Sequence, residues 1–174
     1  MALKKILTEP NKILRQQSLP VEKVDGELQK LIDDMLETMY AAPGIGLAAI
    51  QVGVPKKVIV LDIASKDKTK NPMCFINPEI IEKSETNSTY EEGCLSVPGQ
   101  FAEIDRPSKC YLKYLDYYGQ PKEIKAEGML ATCIQHEMDH LEGILFIDYL
   151  SKLKRSMIVK KLSKQKKELE RIVV

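Results

Sequence analysis

The sequence predicts an α+β fold: antiparallel strands packed around a central helix that carries H-E-x-x-H, with one helix near each end of the chain. Three observations predict it. Apolar residues fall at helical spacing after Asp25. Short β-branched or alternating runs fill the middle of the chain. Two more helical stretches close it, the first containing QHEMDHLEG.

The elements follow in order. Asp25 caps a helix expected to run to Tyr40, because Leu28, Leu31, Ile32, Met35, Leu36 and Met39 repeat at i, i+3, i+4, i+7 and form one buried face. APGIG then breaks it. Lys57–Ile63 is short and β-branched, as a buried strand requires. Met73–Ile81 is strand-like but contains Asn-Pro, a turn or edge signal. Lys109–Tyr117 alternates, and YGQP turns it into Lys122–Ala126, so the two form a hairpin. A helix is expected from Glu127 to Leu141, stopped by Gly143, and a last one from Leu150 to Ile172.

With 174 residues the chain is expected to form one domain, residues 1–174, large enough to bury a core. Hydrophobic residues at 44% and charged residues at 29% exclude a disordered or membrane-embedded class. No apolar run is long enough to span a bilayer, and MALKKILTEPNK lacks the apolar core of a signal peptide, so a cytoplasmic protein without membrane contact is expected. Cys74, Cys94, Cys110 and Cys133 are then expected as reduced thiols with no disulfide partner. Net charge is +1, yet from Ser151 to Val174 nine Lys/Arg stand against two acids, leaving −6 on residues 1–150. A basic tail on an acidic body suits a polyanionic partner.

His136 and His140 are the only histidines, one helical turn apart and so on one face. Both imidazoles can reach one ion, which makes the central helix a metal-binding one. Glu137, offset by about 100°, sits beside the metal as a general base for a water that the ion activates. The bland alternative is two surface histidines four apart by chance. A catalytic site takes a third protein ligand. Known protease spacings fail: Phe146 stands where H-E-x-x-H-x-x-G-x-x-H needs its third histidine, and Lys160 stands where a thermolysin-like glutamate would lie. The ligand must be a carboxylate or thiolate from elsewhere, and Cys94 in EEGCLSVPG would complete a Cys-His-His set. In GIGLAAIQ, Gly44 and Gly46 suit close backbone approach to a ligand, and Gln51 is a polar amide after an apolar run. The bland reading is a loop feeding a buried strand.

GIGLAAIQ, EGCLS and QHEMDH occur in the order and spacing that mark the peptide deformylases, and together they resemble that family. The resemblance runs from KKILTEP to the last helix. EGCLSVPG and the long final helix are similar to its bacterial type 1 branch. It implies removal of the N-formyl group from the initiator methionine of new polypeptides, with release of formate. It implies one divalent ion on Cys94, His136 and His140: natively Fe²⁺, with Zn²⁺, Ni²⁺ or Co²⁺ able to replace it. Glu137 would move the proton, and the Gln51 amide with the Leu95 backbone N–H would stabilise the oxyanion. Ile45, Tyr90, Met129 and Cys133 match positions of the methionine pocket, and Gly44, Gly46 and Glu92 match backbone or supporting contacts. For Met129 and Cys133, core packing is the alternative. Arg106 is expected to pair with a motif carboxylate. Pro43 and Phe101 depart from relatives that carry an acid and a base there, so preference beyond methionine does not carry over.

The final helix, about residues 150–172, reads as a docked amphipathic helix with a solvated lysine face. Its alternative, which the family likeness supports, is contact with ribosomal RNA where nascent formyl-methionyl chains emerge. Two other functions compete with the deformylase reading. A small metalloprotease would use the same machinery. A structural-metal, ribosome-binding module would need a fourth ligand, for which Cys133 is the nearest candidate.

Overall fold

The computed structural model describes residues 2–64 and 67–172. Helix α1 spans Gly26–Ala41, and the Asp25 carboxylate accepts from the Leu28 N–H at 3.0 Å, capping its first turn. Strands β1 (Gly46–Ala48), β2 (Val58–Leu61) and β3 (Met73–Lys83) follow. Next come β4 (Asn87–Cys94), β5 (Val97–Pro107), β6 (Lys109–Leu115) and β7 (Pro121–Glu127). Helix α2 spans Gly128–Leu141 and α3 spans Lys152–Ile172. Five strands form an antiparallel sheet in the order β1-β2-β3-β6-β7; β4 and β5 form a separate hairpin.

Strand alternation explains the layering. On β2, Val58 and Val60 point to one face and pack with Leu28, Ile32, Met35 and Met39 of α1. Ile59 and Leu61 point to the other face and pack with Ala131, Cys133, Ile134 and Leu141 of α2. The strand is therefore fully buried, which is why it reads as an unbroken apolar run. A third cluster, built on Val97, Ile104, Phe146, Ile147 and Leu162, joins β5 to α3.

The Asn-Pro of β3 does not make that strand an edge, for β3 pairs on both sides. A bulge between Ile76 and Glu79 absorbs the proline. Asn77 takes a φ of 50° there, and its amide bonds both the N–H and the C=O of Val21. Helix α2 stops at Gly143, whose φ is 75°. The Ile144 N–H reaches the Asp139 carbonyl at 2.9 Å and the Gly143 N–H reaches the His140 carbonyl at 3.1 Å, a Schellman closure. A Cβ at Gly143 would lie 2.5 Å from the Arg15 carbonyl oxygen, so only glycine fits without a shift.

The fold-class expectation needs correction. The metal site is not the H-E-x-x-H helix; it is a cluster of Cys94, His136 and His140, one donor coming from the end of β4. One helical turn turns only two imidazoles toward a single ion, so the third donor has to arrive from another element. The five-stranded sheet lies between α1 and α2, and the separate β4–β5 hairpin also packs on α2, where Glu92 bonds His136 and Arg106 bonds Asp139, and it delivers the sulfur.

Candidate functional site

The donor atoms of Cys94, His136 and His140 all lie within 4.8 Å of one another. Cys94 Sγ is 3.3 Å from His140 Nε2. Ligands holding one tetrahedral ion at ordinary Zn–S and Zn–N lengths would sit about 3.5 Å apart, so the pair is already spaced for a shared cation. A thiolate with two imidazoles is a donor set for a borderline divalent metal. Three protein donors also leave a position open, the mark of a catalytic rather than a structural site. Cys133, the candidate fourth ligand, is not in the cluster. Burial pushes its thiol up to about 12, which keeps it protonated and suited to packing.

Supporting bonds fix the histidines. His136 Nδ1 is 2.8 Å from Glu92 Oε1, which leaves Nε2 for the cluster. Arg106 clamps Glu92 through two bonds of 2.7 and 2.9 Å and bonds Asp139 at 2.7 Å. Tyr149 also donates to Asp139, at 2.7 Å, and its ring lies under the guanidinium. Burial opposes charge on Glu92, yet its bonds from His136 and Arg106 hold the carboxyl below its ordinary range. Burial likewise opposes charge on Arg106, but Glu92 and Asp139 outweigh it and raise the pKa. Burial, with His136 alongside, holds His140 well below its ordinary value, so its imidazole is neutral, the form that ligates metal.

Glu137 is buried beside these groups, with Oε1 4.0 Å from His136 Nε2 and Oε2 without a hydrogen-bond partner among the described residues. Burial pushes its carboxyl up to about 7; Glu92 adds to this and His136 opposes it. A carboxyl in that range suits a group that both takes and returns a proton. Gly46 gives it room: a Cβ there would stand 2.5 Å from Glu137 Oε1. A Cβ on Gly44 would stand 2.6 Å from Leu95 Cδ1. Gln51 is buried, with its carbonyl oxygen accepting from the Ala48 N–H at 2.8 Å. Its amide nitrogen donates to Ser96 Oγ at 2.9 Å and lies 3.6 Å from Cys94 Sγ.

These groups open onto a cavity of about 600 Å³. Its lining includes Gly44, Ile45, Gly46, Gln51, Tyr90, Glu92, Cys94, Leu95, Met129, Cys133, His136 and Glu137. His140, 1% exposed, lies behind the lining. Sequence reasoning missed Thr132, Pro98 and Gln100 among the lining residues. Thr132 had a usable signal, since it lies four residues before His136 and shares its face. Ser96 and Asp139 had no assigned part; they hold the Gln51 amide and the Arg106 guanidinium.

A family model described as polypeptide deformylase matches residues 3–156. The chain belongs to the peptide deformylase family. It is 66% identical to the peptide deformylase of Pelagibacter ubique (strain HTCC1062) over 174 residues, all of both chains. It is 59% identical to that of Phenylobacterium zucineum (strain HLK1), over 96% of this chain and 99% of the relative. Among solved structures, the peptide deformylase of Ehrlichia chaffeensis superposes with a TM-score of 0.91 at 45% identity, covering 96% of this chain and 98% of the other. A second structure of the Ehrlichia chaffeensis deformylase, in complex with actinonin, superposes equally well, at 0.91. The deformylase family, the three-donor cluster and the cavity thus coincide in one place.

Proposed function

We propose that the chain is a metal-dependent hydrolase that removes the N-formyl group from the initiator formyl-methionine of newly made polypeptides, releasing formate. The observation that carries this is the Cys94–His136–His140 cluster facing a cavity beside the buried Glu137 carboxylate. Cys94, His136 and His140 would hold one divalent cation, natively Fe²⁺, with Zn²⁺, Ni²⁺ or Co²⁺ as substitutes. When bound, the cation supplies Lewis-acid polarisation and an acidified water.

The chain's own residues do the rest. Glu137 takes the proton from the attacking water and returns it to the leaving amine. The Gln51 amide and the Leu95 backbone N–H donate to the developing oxyanion, each worth about 3–4 kcal/mol of barrier. Glu92, clamped by Arg106, holds the His136 tautomer. The backbone at Gly44 and Gly46 lets the substrate pass close to Glu137 and Leu95 and narrows the site around the acyl group. Ile45, Tyr90, Met129 and Cys133 wall the methionine pocket. Cavity lining supports all of these positions except Arg106, which bonds Glu92 from behind.

The EGCLSVPG form and the long α3 support the bacterial type 1 branch. A single catalytic domain over residues 1–174 and a cytoplasmic setting fit the same reading. No helix among the described residues is long and apolar enough to cross a membrane. Residues 164–172 of α3 are exposed and carry Lys164, Lys166, Lys167 and Arg171, which supports ribosome contact through that half of the helix.

Acyl and peptide selectivity tests the function. Formyl-Met-Ala should release formate, while acetyl-Met-Ala and the internal bonds of an unformylated peptide should stay intact. Cleavage of internal peptide bonds would instead support a metalloprotease.

A further inference from the structure

A second depression adjoins the catalytic cavity. It is an open groove of about 700 Å³ between β5 and the first half of α3. Gln100 and Phe101 line both the groove and the cavity, so the two are neighbours on either side of these side chains. Phe101 is 65% exposed. Its ring lies over the Gly93 backbone, where a Cβ would stand 2.6 Å from Phe101 Cε1. Glycine at 93 thus lets the ring lie flat on β4 at the boundary between cavity and groove. Across the groove stand Met157, 63% exposed, and Ile158. Lys154 and Lys161 flank them, with Glu103 as the acid on the strand side. Among the described residues, neither lysine has a carboxylate within 4.0 Å.

We infer that this groove is a distal subsite for the same substrate: the segment of formyl peptide that follows the methionine leaves the cavity over Phe101 and lies between β5 and α3. The inference rests on the deformylase reading above. The walls shared at Gln100 and Phe101 commit the groove to the peptide that the deformylase reading places in the cavity. An extended chain advances about 3.3 Å per residue, so a few residues after the methionine suffice to pass one aromatic ring. The chemistry of the walls states the preference. An apolar side chain is taken against Phe101, Met157 and Ile158, the flexible methionine adapting to different shapes. A neighbouring acidic side chain is taken by Lys154 and Lys161.

The test uses the full metal-loaded chain, without ribosomes, on formyl-Met-Ala and on formyl heptapeptides. The heptapeptides carry a Leu-Glu pair moved stepwise through positions three to six, with Ser-Ser and Leu-Lys controls. One placement of Leu-Glu should raise kcat/KM by about five- to tenfold over Ser-Ser, through KM, the scale of one partly buried apolar contact plus a screened charge. Met157→Asp should abolish the gain and leave formyl-Met-Ala turnover unchanged. Lys154→Glu with Lys161→Glu should transfer the preference to Leu-Lys, a reversal that damaged folding would not produce. Equal kcat/KM for all heptapeptides on the unaltered chain overturns the subsite while leaving the deformylase reading intact. A second copy in the groove would show as a doubled mass in sedimentation that Met157→Asp abolishes; with no peptide effect, that also overturns it. Loss of formyl-Met-Ala turnover in the unaltered chain is a different failure and removes the functional reading itself.

Discussion

Glu137 and Glu92 are two carboxylates beside the same imidazole, 4.0 and 2.8 Å from the ring nitrogens of His136, yet their surroundings give them opposite properties. Glu92 is satisfied on both oxygens by Arg106 and His136, so it stays ionised and acts as a strut. Glu137 has its Oε2 buried without a partner among the described residues and a carboxyl pushed up to about 7 by burial. Glu137→Ala should therefore retain the bound metal at full stoichiometry while turnover falls by about 10²–10⁴-fold. Metal analysis beside initial rates checks this, and turnover within a few-fold of the parent would end its assignment as the base. Glu92→Ala should act differently. It frees His136 and leaves the buried Arg106 short of its main partner. Metal affinity should fall by about 10–100-fold and the metal-free protein should lose about 3–5 kcal/mol. Competition against a chelator and urea unfolding read the two effects separately.

Elements differ in how far their sequences disclose them, and the reason is the face they bury. Helix α1 was legible because Leu28, Ile32, Met35 and Met39 bury one stripe and Asp25 caps it. On α2, the i, i+4 histidines identified the helix and its ligands together. The β4–β5 hairpin was not legible: NSTYEEGC exposes Asn87, Thr89 and Glu91 on one face, but the opposite face carries polar Ser88 and Glu92 beside Tyr90 and Cys94, so no apolar alternation shows. Its role came from the unpaired histidines, which demanded a third donor and singled out Cys94. Strand β1 is three residues long, too short for any period to show. The walls Ile45, Tyr90, Met129 and Cys133 came from family likeness alone, because Ile45 and Met129 are nearly half exposed and carry no burial pattern.

Junctions between elements were equally silent, and one has a measurable signature. Asp62, just after β2, accepts from the Tyr40 hydroxyl of α1 at 2.6 Å and from the Ala64 and Asn71 N–H groups, both at 2.9 Å. Burial opposes its charge, but these bonds outweigh it and lower the pKa. A lowered folded pKa adds stability that is present above the ordinary carboxylate value and lost as pH falls through the folded one. Asp62→Asn should thus cost about 1–3 kcal/mol at pH 7, with the gap narrowing as pH drops below about 4. Urea unfolding of both proteins across that range checks it; a gap independent of pH would contradict the ionic role.

At the scale of the molecule, the acidic body and the basic tail separate. Leu162 is the last buried residue of α3, and residues 164–172 pack against nothing that buries them. Removing the chain after Ser163 should therefore leave the melting temperature within about 2–4 °C and dipeptide turnover unchanged, while weakening any salt-sensitive association with ribosomes. A large loss of dipeptide turnover would show that the distal half of α3 supports the site, contrary to its exposure. The rest of the molecule exists to set three donors and one carboxylate around a cavity: α1 backs the sheet, the sheet carries α2, and the β4–β5 hairpin brings Cys94 to the histidines.

The decisive measurement is formate release from formyl-Met-Ala by the anaerobically purified, Fe²⁺-loaded chain, run beside the same protein stripped by a chelator and then reloaded. Release that is lost on stripping and restored by one equivalent of metal is the expected result. No release with the metal bound at one per chain and Cys94 reduced would contradict the assignment of this site to deformylation.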